Sequence, residues 1–214
     1  FEAQHARKLG AFIGRDGEIA LMLQRWSAAR GGEGQVVLVS GEAGIGKSRI
    51  ADAFRDHLRD QSHVRVLYQC SPHHVNTPFY PVVQQIRLAA GIGADDSTDR
   101  QSDKLGRFLG DAGVAAADAP FLAELLAPTT GTGYAAQNVS PQEVKQRTLR
   151  ALLSMFQRLA HRSPVMFVLE DAHWLDPTTS ELIDLMVEQV ARLPALMVVT
   201  HRPEFQAHWR GMEH

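Results

Sequence analysis

The segment Gly-Glu-Ala-Gly-Ile-Gly-Lys-Ser at residues 41–48 constrains the fold of this chain more than any other feature. It matches the pattern G-x-x-x-x-G-K-[ST], in which a glycine-rich loop leads from a β-strand into an α-helix. An apolar run with three β-branched residues, 36–40, precedes the segment. A helical pattern follows it, with Ile50, Phe54 and Leu58 four residues apart. Strand, loop and helix agree with one another, and the alternative interpretation is an ordinary glycine-rich turn.

Each residue type in this loop suits the binding of phosphate. Glycines let the backbone wrap closely around phosphate oxygens, and successive amides with the following helix N-terminus attract negative charge. Lys47 is predicted to reach the β- and γ-phosphates, and Ser48 to bind Mg²⁺ through its hydroxyl. The predicted ligands are therefore ATP or ADP and Mg²⁺. The predicted phosphate-loop residues are Gly41, Glu42, Ala43, Gly44, Ile45, Gly46, Lys47, Ser48 and Arg49.

Short apolar runs alternate with helical patterns along the chain, which predicts an α/β fold with a mostly parallel sheet between two layers of helices. Strands are predicted at 36–40, 64–68, 165–169 and 196–200. Beyond the helix that follows the loop, helices are predicted at 17–30, 79–90, 102–110, 119–127 and 141–161, and another from Asp176-Pro177 onward. Residues 71–140 are less regular and are interpreted as an irregular helical insertion, in which 129–138 have the composition of a loop.

The predicted helix 141–161 has a sharp start. Ser140 can cap it, Pro141 fits its first turn, and Glu143 occupies the third position of a capping box. Its inward face is predicted from the helical period. The residues of that face are Val144, Thr148, Ala151, Leu152, Met155 and Leu159.

Two carboxylates, Glu170 and Asp171, follow the buried run 165–169. Such a strand end faces the ligand crevice in open α/β sheets. One acid there can hold Mg²⁺, and a neighbouring carboxylate can orient and deprotonate the attacking water. The usual order makes Glu170 the metal-side group and Asp171 the base, although the order Glu-Asp leaves this division open. The alternative is a solvated acidic turn in which Asp171 or Asp176 caps a helix.

Two arginines are further candidates. Arg202 follows the fourth strand, whose end approaches the γ-phosphate if that strand lies between the phosphate-loop strand and the acidic strand. A cation there can offset charge in the transition state. Gly14 and Arg15 precede the first helix, where Arg15 is predicted to close over adenine and ribose. The alternatives are a surface arginine at 202 and a helix cap with a solvated Arg15.

Other polar groups are given structural interpretations. Cys70 with His73 and His74 lacks zinc-ligand spacing and is interpreted as part of a polar loop. His173 and Trp174 directly follow the acids, where we expect packing and support rather than chemistry.

Composition narrows the class of protein. The 214 residues are 44% hydrophobic, enough for one substantial core, and a formal charge of −2 gives no basic field for nucleic acid. Cys70 is the single cysteine, so no internal disulfide can form. No apolar run approaches the ~18 residues of a membrane span, and no signal peptide is recognisable. We expect a cytoplasmic location and, because the first residue is Phe1, a longer parent protein.

Together the motifs resemble the STAND class of signal-transduction ATPases, which is related to AAA+ proteins. The residues that carry the resemblance are the four boxes 12–18, 41–49, 169–176 and 198–205. They are most similar to ATPase modules of bacterial multidomain regulators, one group of which follows a class III adenylate or guanylate cyclase domain and precedes helical repeats. The resemblance covers nearly all of 10–206. It implies one ATPase domain across 1–214, with the family's fifth strand, helical lid and further domains beyond this chain.

The phosphate loop, the paired acids and Arg202 motivate a functional hypothesis. It is an ATP-binding regulatory module that uses slow Mg²⁺-dependent hydrolysis as a switch. Expected partners are nucleotide, neighbouring domains of the same polypeptide and, with nucleotide bound, another copy of the module; neither membrane nor nucleic acid is expected. Three alternatives stay open: a P-loop kinase acting on a small molecule, a non-hydrolysing nucleotide-binding scaffold, and a DNA-loading ATPase like those of replication initiation.

Overall fold

A four-stranded parallel sheet forms the centre of the protein in the computed structural model, which describes residues 15–126, 139–206 and Trp209. The strands are β1 (Gln35–Ser40), β2 (Val64–Gln69), β3 (Val165–Glu170) and β4 (Ala195–His201). Their order is β1-β4-β3-β2, and every neighbouring pair is parallel. β4 therefore lies between the strand before the glycine-rich loop and the strand before the two acids, as the prediction for Arg202 required. Gly14 and the predicted loop 129–138 lie outside the described residues.

Seven helices are found in the described ranges, and they confirm the predicted alternation. They are α1 (Asp16–Arg30), α2 (Lys47–His57), α3 (Tyr80–Ala89), α4 (Thr98–Asp111), α5 (Ala119–Leu126), α6 (Pro141–Arg162) and α7 (Pro177–Val190). Single 3₁₀ turns lie at Pro72–His74 and Ala172–Trp174. Across the described part of the chain, no helix combines the length and apolarity that a bilayer crossing requires.

Side chains of the central strands alternate between two cores, because successive residues of a strand point to opposite faces of the sheet. On one face, Met166 and Val168 of β3 pack with residues of α1 and α2, such as Trp26 and Phe54. On the other face, β3 packs against residues of α3, α4, α5, α6 and α7. The result is the predicted three-layer arrangement of helices, sheet and helices.

The inward face of α6 differs in part from the prediction. Thr148, Ala151 and Leu152 are buried as expected, but the rest of the buried stripe is Leu149, Phe156 and Ala160. Val144, Met155 and Leu159 are only partly buried. Met155 and Leu159 pack against the edge of the core and also line an apolar cavity of about 280 Å³ beside β2. The helical period therefore predicted three of the six buried residues of α6, and the buried stripe also includes Leu149, Phe156 and Ala160.

Gly34 shows how closely α7 approaches the start of β1. A Cβ atom at this position would lie 1.8 Å from the carbonyl oxygen of Val190, the last residue of α7. No side chain fits such a separation, so glycine is required by the close approach of two backbone segments.

Candidate functional site

The carboxyl ends of β1, β4 and β3 bring the predicted site together at one edge of the sheet. Ser40 lies opposite His201 in the register of β1 and β4. The amide of Gly41 donates to the carbonyl oxygen of His201 over 3.2 Å. Glu170 ends β3 on the other side of β4. The start of the glycine-rich loop and the paired acids therefore flank β4 at the edge where open α/β sheets bind ligands.

The loop itself has a conformation that its glycines make possible. Gly44 and Gly46 have φ angles of 79° and 99°, in the left-handed region that favours glycine. A Cβ atom at Gly41 would lie 2.8 Å from the side chain of Ile45, whereas at Gly44 and Gly46 it would meet open space. The loop is thus tight at its base and open above its two later glycines, which leaves room for a ligand against the backbone.

Lys47, the first residue of α2, folds its side chain back onto the loop. Its Nζ atom donates to the carbonyl oxygens of Gly41 and Glu42 over 2.8 and 2.9 Å. The residue is buried, with 8% of its surface exposed. Lys47 and Ser48 both lie in the first turn of α2, where backbone amides have no acceptor within the helix. A buried ammonium group beside such amides is suited to binding an anion.

The turn after β3 is fastened to β4 through Thr200. Asp171 has a left-handed backbone, with φ 55° and ψ 48°. Its amide donates to the hydroxyl oxygen of Thr200 over 3.0 Å. Thr200 is fully buried. Thr200 was not among the predicted site residues, although it is the polar position that follows the apolar run 195–199.

Of the two acids that the capping alternative named, Asp176 is the one that caps a helix. Its Oδ1 atom accepts from the amides of Thr178 and Thr179 over 3.0 and 2.9 Å. Its Oδ2 atom accepts from the hydroxyl of Thr179. The side chain of Asp171 makes no capping hydrogen bond to the turn that it begins. Asp176 therefore has a structural role at the start of α7. Asp171, which follows the last residue of β3, has no such capping role.

The two arginines that were predicted to complete the site have local partners. The Arg202 guanidinium lies over the ring of Trp174, 5.6 Å from its centroid. Its Nη1 atom is 3.9 Å from Oε1 of Glu204. Arg15 pairs with Glu18 on the first turn of α1 over 3.0 Å. Arg202 is therefore positioned beside the turn that follows the acids.

Comparison with known families decides the class of this fold. The family described as "AAA ATPase domain" matches residues 11–199. The chain belongs to this family. The match includes the glycine-rich loop, the acids and most of β4 in one continuous stretch.

Two individual proteins are similar to this AAA ATPase domain. An uncharacterized protein of Rhizobium meliloti (strain 1021) is 28% identical over 200 residues, which are 94% of this chain and 19% of that protein. The chain thus spans about a fifth of the length of that relative. Among solved structures, the Aeropyrum pernix ORC1 protein in complex with DNA is similar at 17% identity with a TM-score of 0.47, over 91% of this chain and 40% of that one.

The residues of the AAA ATPase domain fit a nucleotide with a divalent cation. The open space above Gly44 and Gly46 provides a surface of backbone for phosphate oxygens. The hydroxyl of Ser48 and the carboxylate of Glu170 are oxygen ligands, which Mg²⁺ prefers. Ser48 is in the first turn of α2 and Glu170 ends β3, so both belong to the edge at which the loop lies.

Cys70 and His173 lie beside the acids of the AAA ATPase domain. Burial, together with the negative charges of Asp176, Asp171 and Glu170, raises the pKa of the Cys70 thiol to about 12. Burial lowers the pKa of His173, while the charge of Asp171 opposes that change. The thiol is therefore protonated and the imidazole neutral at neutral pH. Sequence reasoning assigned neither residue to the site, because their relation to the acids depends on the fold.

Proposed function

We propose that this AAA ATPase domain binds ATP with Mg²⁺ and hydrolyses it slowly, as a nucleotide-dependent switch within a larger protein. One observation supports the proposal above all others. A glycine-rich loop with a buried lysine lies at the same sheet edge as two carboxylates, with β4 between them. Positive and negative groups are thereby available on two sides of a ligand at that edge, which suits a phosphate chain with its metal.

The phosphate chain would lie on the loop 41–46 and the N-terminus of α2. An ammonium group has three N–H donors, and Lys47 directs two of them to carbonyl oxygens of the loop. Within the described residues, the third donor remains for a phosphate oxygen. Arg49 lies one position beyond Ser48 in the first turn of α2 and belongs to the same surface. Arg15, at the start of α1, would face the adenine and ribose.

The carboxylates would divide the chemistry between them. Ser48 and Glu170 would hold Mg²⁺, which when bound neutralises charge on the phosphate oxygens. Asp171 would accept a proton from the attacking water at a carboxylate oxygen. The left-handed turn at Asp171, held by Thr200, fixes the backbone from which that carboxylate extends. Arg202 would offset negative charge that develops on the phosphate.

A switch function requires other domains to respond to the nucleotide. The similar stretch is 19% of the Rhizobium meliloti protein, so a module of this kind occurs there within a much longer chain. We propose that neighbouring domains of the same polypeptide respond to the nucleotide, such as the cyclase domain and helical repeats that adjoin similar ATPase modules. We also propose nucleotide-dependent self-association. A ligand shifts such an equilibrium only through its different affinities for the two arrangements.

Calorimetry with Mg²⁺-ATP and an assay of phosphate release test the proposal on the unaltered chain and on Lys47→Ala. We expect Lys47→Ala to lose most nucleotide affinity and to keep its melting temperature within a few degrees. Lys104→Ala is the matched control. The Lys104 ammonium, like that of Lys47, donates to a backbone carbonyl oxygen, here that of Gly91, and it also pairs with Asp96. Unchanged ATP affinity in Lys47→Ala would contradict the proposed site.

Radiolabelled ATP separates the proposal from its enzymatic alternative. A phosphate-releasing ATPase converts the γ-label to inorganic phosphate, whereas a small-molecule kinase transfers it to an acceptor from a cell extract. Binding without release of label, both in this chain and in the full-length protein, would indicate a scaffold that does not hydrolyse the nucleotide.

A further inference from the structure

An apolar cavity of about 280 Å³ lies between the edge strand β2 and the helices α3, α4 and α6. Each of these elements contributes apolar side chains to its wall, among them Val66 of β2, Ile86 of α3, Phe108 of α4 and Leu159 of α6. Protein interiors are close-packed, with few voids larger than a water molecule. An engineered apolar cavity of about 150 Å³ binds benzene, so the larger cavity of this domain has room for an organic molecule.

The cavity lies toward the opposite edge of the sheet from the proposed nucleotide site. Val64, the first residue of β2, lines it and pairs with Val165, the first residue of β3. Arg162, the last residue of α6, lines it as well. The loop 41–48 instead follows the carboxyl end of β1, and all neighbouring strands are parallel. A molecule in the cavity would therefore not compete with nucleotide for space.

The edge of β2 is already occupied beside the cavity, which argues against a peptide strand as the ligand. The Leu67 amide donates to Oε1 of Gln85 over 3.2 Å, and Gln85 also lines the cavity. A peptide that extended the sheet would need this amide for its main-chain hydrogen bonds. The space that remains is an apolar cavity with a small number of polar groups, as in pockets for small molecules.

Cationic groups are in excess at the mouth of the cavity. The charged residues along its wall, in the part of the chain that the structure describes, are Arg65, Asp111 and Arg162, and all are exposed. The Arg162 guanidinium donates to the backbone carbonyl oxygen of Asp111, and this bond uses one of its five N–H donors. Arg158 adds a further guanidinium there, because a Cβ atom at Gly113 would lie 3.4 Å from Nη1 of Arg158 and 3.6 Å from Nη2 of Arg162. An anionic group at the mouth would therefore meet guanidinium donors, which suit a carboxylate.

We propose that the cavity binds a small amphipathic acid, of the size of a medium-chain fatty acid, with its chain among the apolar side chains and its carboxylate beside Arg162. At about 30 Å³ for each water-sized group, the volume of about 280 Å³ admits roughly nine such groups. Burial of the chain supplies affinity, at about fourfold for each methylene. The guanidinium of Arg162 favours an acid over an amine or an alcohol. This site is separate from the proposed ATPase site, so either proposal can fail without the other.

Titration of the ¹⁵N-labelled 214-residue chain with hexanoate, octanoate, decanoate and dodecanoate, followed by NMR, tests the proposal. We expect the amide signals of Val66, Phe108 and Ala112 to shift. Affinity should rise about fourfold for each added methylene and level off near decanoate, when the cavity is full. Octylamine should bind at least about tenfold more weakly than octanoate. Affinity that still rises from decanoate to dodecanoate, or an absence of saturable octanoate binding, would overturn the proposal.

Variants of the wall test whether the acid lies in this cavity. Ala112→Leu adds three carbon atoms to the wall, so affinity should level off at a chain about three carbons shorter. Ala90→Leu is the matched control, since Ala90 directly follows α3 but lies outside the wall. An unchanged chain-length limit in Ala112→Leu would place the acid elsewhere and overturn the proposal. If Ala112→Leu does not fold, Ala89→Leu tests the same limit from the side of α3.

A variant of the mouth tests the assignment of the carboxylate. Arg162→Gln should weaken octanoate about tenfold, as for a lost hydrogen bond to a charged group, and change the affinity for octanol less than twofold. A merely structural role of Arg162 would weaken both ligands equally. That result, or equal affinities of the unaltered chain for octanoate and octanol, would overturn the proposed selection of an acid.

Discussion

The backbone amide of Asp171 donates a hydrogen bond to the hydroxyl oxygen of Thr200 over 3.0 Å, across 29 positions of sequence. The bond joins the turn after β3 to the end of β4. Asp171 adopts a left-handed backbone, in which a non-glycine residue is under modest strain. The direction of the proposed catalytic carboxylate therefore depends on a buried side chain of the neighbouring strand.

Thr200→Val should remove this hydrogen bond with little change of volume. The part-buried amide of Asp171 would lose its partner, at a cost of about 1 kcal/mol in the free energy of unfolding. We also expect phosphate release to slow about tenfold or more, while ATP affinity stays within a few-fold, because the carboxylate is misdirected and the loop 41–48 is unaltered. Urea unfolding and a phosphate-release assay measure the two effects. Thr200→Ser keeps a hydroxyl and should stay close to the unaltered domain in both; equal losses in Val and Ser variants would contradict this account.

Glu170→Gln and Asp171→Asn should separate the roles of the two acids. If Asp171 is the base, Asp171→Asn spares ATP affinity and slows turnover by about 100-fold or more, the range of general-base catalysis. Glu170→Gln should instead weaken the dependence of ATP binding on Mg²⁺, because a neutral amide is a poorer ligand for a hard cation. Titrations with Mg²⁺-ATP and with ATP in the presence of a chelator show which variant has lost the Mg²⁺ dependence of ATP binding. The reverse pattern would assign the metal to Asp171 and the proton transfer to Glu170.

Much of the fold follows from local sequence. β3 and β4 are buried on both faces, so each is a continuous apolar run that the sequence displays directly. The start of α6 is equally local, because Ser140 caps it by accepting from the amide of Glu143. The start of α4 was placed four residues late, at 102 instead of Thr98. There the cap, Ser97, lies in a polar stretch without an apolar period to mark the first turn.

Some residues of the site could likewise be predicted from local sequence, whereas others depend on contacts between distant parts of the chain. The loop 41–48 is contiguous, so its residues could be predicted together. Thr200 could not, because its hydrogen bond with the amide of Asp171 arises from the pairing of β3 with β4 in the folded chain. The capping alternative for Asp171 and Asp176 also needed the structure, since either acid could precede a helical turn in sequence.

The Cys70 thiol should be almost inert in the folded domain. Its pKa is raised to about 12 by burial and by the nearby carboxylates, whereas an exposed thiol has a pKa of about 8.5. The folded thiol keeps its proton at pH 8, and we expect alkylation by iodoacetamide to be roughly a thousandfold slower than in the unfolded chain. Mass spectrometry with and without denaturant measures the ratio, and comparable rates would contradict the burial of Cys70.

The same shift predicts how stability depends on alkaline pH. Above about pH 8.5 the unfolded chain loses the thiol proton, but the folded chain retains it up to a pKa of about 12. The folded state then binds more protons, so the free energy of unfolding falls as pH rises through this interval. Cys70→Ala should lessen that fall. Parallel unfolding curves for the two chains between pH 8 and 10 would contradict the linkage.

Asp176→Ala tests whether this acid acts in folding and not in catalysis. Its carboxylate accepts from two amides and one hydroxyl at the buried start of α7, so we expect a loss of about 2 kcal/mol in the free energy of unfolding, at the upper end for helix caps. Ser140→Ala is the matched control at the exposed start of α6 and should cost about 0.5–1 kcal/mol. Below the unfolding transition, Asp176→Ala should release phosphate at nearly the unaltered rate, because Asp176 is directed to the helix and Asp171 to the sheet edge. A loss of turnover as large as that of Asp171→Asn, with stability retained, would show that the acid which caps α7 also acts on the nucleotide.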